Sequence, residues 1–168
     1  MTGVVALAAT PRFTRAPDWP DAVEDSVLAE FARGLELDHR ATMKRFLALE
    51  AHGSDQLRAD LRFLQQEILA RPAPHPTVLA EGLAVLRDTD MRAEIQRLSI
   101  PSLWIGGRRD RLVPWRALEA SARLATGGES VAIAHAGHAP FLSHADEVAL
   151  AVLGWLEADA VMPVDRTS

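Results

Sequence analysis

Residues 101–144 read PSLWIGGRRDRLVPWRALEASARLATGGESVAIAHAGHAPFLSH, and the order of apolar and polar runs in them decides the architecture. Pro101 to Gly106 is a short apolar run of strand type. Pro114 to Leu124 has helical spacing with a proline early in its first turn, and Ser130 to Ala134 is strand-like again. Ala145 to Trp155 follows as a closing amphipathic helix, and Pro163 opens a frayed tail. Strand, helix, strand, helix predicts right-handed parallel βαβ units, and so an α/β fold.

Upstream, Glu94 to Leu98 ends a short helix, and before it the character of the chain changes. From about residue 20 to residue 89 there is no strand signal. Val23, Val27, Leu28, Phe31 and Leu35 recur at helical spacing after Pro20-Asp21. A second helix carries Met43, Phe46, Leu47 and Leu49 and ends at Gly53-Ser54. A third runs from Asp55 through Leu57, Leu61, Leu64 and Ile68 to Arg71-Pro72. Pro72, Pro74 and Pro76 form a stiff turn before a fourth helix, Val78 to Leu86. Four helices between strands read as an insertion rather than a crossover. At the start, Val4 to Ala9 is a continuous apolar run closed by Thr10-Pro11, the pattern of a strand buried on both faces. The expected division is 1–19 as core strand and lead, 20–89 as helical insertion, and 90–168 as the rest of the core.

In open parallel sheets, ligands sit beyond the carboxyl ends of the strands. Two such ends carry chemistry here. Gly107-Arg108-Arg109-Asp110-Arg111 follows the strand at 101–106, and His135-Ala136-Gly137-His138 follows the strand at 130–134. A carboxylate and a histidine on neighbouring strand ends can meet, and an acid–base pair needs that, since the carboxylate fixes the imidazole tautomer and stabilises its protonated form. Asp110 among three arginines reads equally as a surface ion pair or as a cap for the helix at Pro114. His138 alone reads equally as a loop histidine bonded to backbone. The order of the two loops favours the pair. His135 competes with His138, which is preferred because Gly137 permits a sharp approach and Ala139-Pro140-Phe141 can shape a pocket. His144 lies near the start of the last helix and reads as a surface residue of its cap.

The bulk numbers narrow the rest. The chain has 168 residues, 48% hydrophobic and 24% charged, a balance that supports a folded core rather than disorder. Its net charge of -5 gives no sign of nucleic-acid binding. The absence of cysteine rules out disulfides, thiol catalysis and cysteine metal sites. No apolar run approaches the ~20 residues of a membrane helix, and MTGVVALAAT has no basic region to make it a signal peptide. A cytoplasmic location is the default expectation. The six histidines are scattered, so neither a metal nor any other cofactor is expected.

GGRRDRLVP followed by HAGHAPFLSH resembles the aspartate and histidine loops of α/β-hydrolases, in that family's order of Ser, Asp, His. VVALAATPRF, DWP, KRFLALEAHG, LRADLR and VLAEGLAVLRDTDMR make the likeness narrower. Across nearly the whole chain they resemble the pimeloyl-acyl-carrier-protein methyl ester esterases of biotin synthesis. The resemblance implies part of an α/β-hydrolase core with a four-helix lid, and hydrolysis of a methyl ester on a carrier-bound acyl chain. Carried over by position, it makes Asp110 the orienting acid and His138 the general base and acid. Phe46, Leu47, Ala48, Leu49 and Glu50 match the lid segment that lines the acyl channel. Burial within the lid explains Leu47 and Leu49 as well, and Glu50 is expected to face solvent, because a carboxylate in an apolar channel is costly.

The resemblance also implies an acidic carrier protein docking on a basic lid, here through Arg45, Arg58 and Arg62. Residues 40 to 71 hold six basic side chains against four acidic ones. Arg58 and Arg62 sit at i,i+4, a like-charge pairing that costs roughly 0.2–0.5 kcal/mol in an isolated helix. Docking explains that pairing, and so does a solvated helix with Asp55 and Asp60 as local partners. A full-length protein of this kind is expected to be a monomer.

A nucleophile elbow, Gly-x-Ser-x-Gly, does not occur in the sequence, and none of the eight serines has that context. The expectation is that the elbow and its oxyanion loop belong upstream of Val4. Three strands would then leave an unprotected apolar sheet edge, and the isolated chain would be marginally folded and inactive. Hydrolysis of short p-nitrophenyl esters by the purified chain, abolished by His138→Ala, would contradict this. Two other functions remain open on the residues. One is a general carboxylesterase or lactonase with a similar lid, and the other is a non-catalytic module that binds an acidic carrier.

Overall fold

The structure is a computed structural model that describes residues 3–50, 65–68 and 70–161, with the backbone only at 49–50 and 159–161. Three strands form one parallel sheet in the order β1 (Val4–Leu7), β2 (Ser102–Gly107), β3 (Gly128–Ile133). Val5 stands beside Leu103, Leu7 beside Ile105, and Gly107 beside Ile133. The central strand is buried along its whole length, which explains the unbroken apolar run from Leu103 to Ile105.

In-register parallel neighbours point to the same face, so the sheet has two distinct sides. One side carries Ala6 and Trp104 and packs on α4 (Trp115–Leu124) through Leu118 and Ala122. Ala117, Leu118, Ser121 and Ala122 form the buried stripe of that helix, and Gly127, at φ 66°, turns the chain from it into β3. The other side carries Leu103, Ile105 and Ile133 and packs on α6 (Ala145–Val161) through Val148 and Trp155. Val5 and Leu7 share this side but stay 36% and 39% exposed. The helix α6 is not amphipathic as expected. It buries Trp155 yet leaves Leu150, Leu153 and Leu156 exposed, so it is apolar on more than one side.

Between β1 and β2 the chain is largely helical. Here α1 (Asp25–Glu50) takes in the first two expected helices, which meet at a kink. It is interrupted at Asp38, which leaves the helical region (φ -155°) while its Oδ1 accepts from the Ala41 N–H and caps the second half. The halves fold back on each other, bringing the Phe31 and Phe46 rings within 5.3 Å. Val23, expected in the first helix, instead bridges Thr14 in an extended lead. Residues 65–68 and Ala70 are helical and the chain bends at Arg71, where the third helix was expected to stop; residues 55–64 and 69 lie outside the described residues. Next comes α2 (Pro76–Asp88), opened by the His75 side chain accepting from the Thr77 N–H. The short α3 (Arg92–Gln96) leads into β2, and α5 (Pro140–Ser143) precedes α6.

The entry and exit of this helical stretch are clamped together. Arg12 donates to Asp90 at 2.9 Å, Thr14 to the Arg87 carbonyl, and the Met91 N–H to the Pro11 carbonyl. Arg92 joins Asp18 to Asp90 and lies over the Trp19 ring. Hydrogen bonds from Arg92, and then from Arg12, hold the Asp90 carboxyl well below the usual carboxylate range. Among the described residues no helix is long and apolar enough to cross a membrane.

Candidate active site

Both loops that follow β2 and β3 end at the same edge of the sheet, and backbone bonds tie them together. The Arg108 N–H donates to the Ile133 carbonyl at 2.9 Å, and the Arg109 N–H to the Ala136 carbonyl at 3.0 Å. Gly107 makes this approach possible. A Cβ there would collide with the carbonyl oxygens of Ala136 and Gly137, so only glycine fits.

Asp110 sits in the loop so formed with its side chain fully buried. Its two oxygens do different work. Oδ1 accepts from the Leu112 and Val113 N–H groups at 2.8 and 2.9 Å, which fixes the carboxylate just ahead of α4. Oδ2 lies 2.9 Å from Nδ1 of His138. Asp110 therefore supports the loop backbone before α4 and faces the histidine at once, and it pairs with none of the arginines beside it in sequence. Burying a carboxylate is costly unless its oxygens are hydrogen-bonded, and both of these are.

His138 is partly exposed, at 32%, and is followed by the buried Pro140 and the turn of α5. With Nδ1 facing the carboxylate, the neutral ring holds its proton there and Nε2 keeps a lone pair. Nε2 is thus the nitrogen that can accept and return a proton. His135 does not share this arrangement: its Nδ1 lies 3.1 Å from Nη2 of Arg109, on the exposed side of the loop. His144 lies against Ser143 at the start of α6. Of the residues expected to shape a pocket, Pro140 is buried while Phe141 is exposed.

The other expected positions lie on α1. Phe46 packs on Phe31, Leu47 is buried, and Ala48 and Arg45 are exposed, with Arg45 donating to Thr42. Leu49 and Glu50 belong to α1 by backbone, and their side chains, like Arg58 and Arg62, lie outside the described residues. A groove of about 720 Å³ runs between the first half of α1 and α2, lined by Leu28, Ala32, Leu35, Leu79 and Leu83 among others. None of Phe46, Leu47 and Ala48 lines it. Among the described residues no three His, Asp or Glu side chains converge as a metal site would require. Sequence reasoning missed Gly107 as the contact that joins the two loops. The doubled Gly106-Gly107 at the strand end was the available signal.

A family model of the alpha/beta hydrolase fold matches residues 2–145. Over 150 residues the chain is 52% identical to a pimeloyl-[acyl-carrier protein] methyl ester esterase of Stenotrophomonas maltophilia, covering 89% of this chain and 58% of that protein. The protein of the same name from Xanthomonas oryzae is 47% identical, with 89% and 59% covered. The chain thus spans about three fifths of the length of these curated relatives. A bromoperoxidase from Bacillus anthracis superposes with a TM-score of 0.80 at 22% identity, covering 92% of this chain and 58% of that one. An esterase from Exiguobacterium antarcticum superposes at 0.79 and 17% identity, with 93% and 57% covered. At those identities the two structures speak to the fold alone.

Proposed function

This chain belongs to the α/β-hydrolase family, and from that footing we propose that it carries the acid and base of a carboxylic ester hydrolase whose substrate is a methyl ester on a carrier-bound acyl chain. The observation that carries the chemistry is the 2.9 Å contact between Oδ2 of Asp110 and Nδ1 of His138, with Oδ1 of Asp110 pinned by two backbone N–H groups. The relatives that are about 50% identical support the substrate class.

In this reading His138 Nε2 takes the proton of a serine hydroxyl as the oxygen attacks the ester carbonyl. Asp110 stabilises the imidazolium that results, without itself taking the proton. The imidazolium then protonates the departing methoxide, which leaves as methanol and an acyl-enzyme. Water attacks the acyl-enzyme in the same manner, with His138 again as base and then acid. These 168 residues hold no serine in a Gly-x-Ser-x-Gly setting, so the acid and base are the share of the machinery assigned to them.

We assign acyl contact to the segment from Phe46 to Glu50, with Phe46 as its principal residue and the Glu50 carboxylate turned to solvent, and carrier docking to Arg45, Arg58 and Arg62. The test is a chimera in which this chain replaces the matching segment of the Stenotrophomonas relative. It should hydrolyse the methyl ester of a carrier-bound acyl chain with a kcat/KM well above that for free short-chain esters. Asp110→Asn should lower kcat by about 10⁴-fold, as loss of an orienting aspartate does elsewhere. Equal activity on free esters would favour a general carboxylesterase instead.

A further inference from the structure

The loop that holds Asp110 also concentrates positive charge. Arg108, Arg109, Arg111 and Arg116 are all exposed, and the stretch from 108 to 116 carries +3 in a chain of net charge -5. Several arginines elsewhere find carboxylates: Arg12 and Arg92 pair with Asp90, Arg15 with Glu24, Arg87 with Asp88, and Arg123 with Glu119. Among the described residues, none of the four loop arginines forms an ion pair.

Three of them are nevertheless held in place, by groups that do not neutralise them. The Arg108 guanidinium lies 4.5 Å from the centre of the Trp115 ring, and that of Arg116 lies 5.7 Å from the same centre. Arg109 lies against Nδ1 of His135. A guanidinium stacked on an aromatic face keeps its edge N–H groups and its full charge for another acceptor. Ordering the side chain in advance also lowers the entropy lost on binding.

We propose that Arg108, Arg109, Arg111 and Arg116 form a docking face for an acidic protein, on the rim of the Asp110–His138 pair and separate from the basic side chains of α1. The face is open and its charges are spread around one indole and along a loop, so it fits several carboxylates on a partner surface better than one small anion. A compact acidic protein meets this face alone, whereas an extended polyanion such as nucleic acid would also lie over the negative remainder of the chain. The proposal rests on the carrier-ester reading for the identity of the partner, the acyl-carrier protein. Docking here sets the partner beside His138, where the ester it carries must arrive.

The test is a fluorescence-anisotropy titration of the chimera with labelled acyl-carrier protein bearing no acyl group, at low and at moderate salt. Arg108→Glu/Arg116→Glu should weaken binding tenfold or more and flatten its salt dependence, and Arg109→Glu/Arg111→Glu should do the same. Arg108→Lys/Arg116→Lys should retain part of the affinity, and Arg123→Glu should change nothing. Circular dichroism on each variant confirms that the fold is kept. Unchanged affinity in both reversed pairs would overturn the proposal, as would failure of the unaltered chimera to bind the carrier, or tighter binding to a single-stranded oligonucleotide than to the carrier. In each of those cases the ester reading still stands or falls on the chimera's hydrolysis.

Discussion

Two residues separated by 28 positions determine what the strand ends can do, and a third determines whether they meet. Asp110 places one oxygen on backbone and one on His138, so any motion of the loop at 107–113 changes the acid–base geometry directly. Gly107 is the contact through which that loop touches the one after β3. Gly107→Ala should therefore separate the two loops, because neither facing carbonyl is the end of a flexible side chain. The expected cost is at least about 2 kcal/mol in thermal or denaturant unfolding, with loss of the His138–Asp110 hydrogen bond by NMR. An alanine variant that unfolds like the unaltered chain would show that the close approach is dispensable. Asp110 and His138 were legible in the sequence because their loops follow strand-like runs. Gly107 was not, since a collision with backbone carbonyls depends on which strand lies beside which. Gly137, to which the sequence pointed for the sharp approach, contributes a carbonyl to that contact instead.

At the scale of elements, the helical stretch leaves the core and returns to it through one polar junction. Asp90 is its centre, bonded to Arg92 and Arg12, while Thr14 bonds the Arg87 carbonyl and Trp19 lies under the Arg92 guanidinium. Because its folded carboxyl titrates below the unfolded value of about 3.9, its contribution is fully present above pH ~4 and is lost as pH falls toward the depressed folded value. Removing the charge with Asp90→Asn should cost about 1 kcal/mol at neutral pH, the group being partly open to solvent. The gap in melting temperature between this variant and the unaltered chain should narrow from pH 5 to pH 3. A constant gap would mean that the carboxylate charge is not what holds the junction. This junction could not be read from the sequence, since Arg12 and Asp90 are 78 residues apart. A break between Leu35 and Met43 was legible, because the apolar spacing divides into two helices there, but the aspartate that makes it and caps the second half looks like any surface acid.

For the whole molecule, the order of strands and helices was readable because apolar runs bounded by glycine and proline recur at βαβ spacing. The exposed apolar area was less so. The α6 sequence looks amphipathic over short windows, but Leu150, Leu153 and Leu156 stay outside, and Val5 and Leu7 continue the covered face of the sheet past the helix. Such surface seeks a partner. The isolated chain should therefore bind a hydrophobic dye and self-associate with rising concentration, in sedimentation or light scattering, and Leu150→Lys/Leu153→Lys should reduce both. A chain that stays monomeric and leaves the dye dark would show that these side chains are shielded in solution.

The role proposed for His138, oriented by Asp110, is to move the protons of ester hydrolysis. It is tested most directly by measuring methanol release from a methyl-esterified acyl-carrier protein by the chimera and by its His138→Ala form at equal, folded concentrations. Steady turnover is expected from the first and a fall in kcat of at least about 10³-fold in the second. Comparable rates from the two would contradict it.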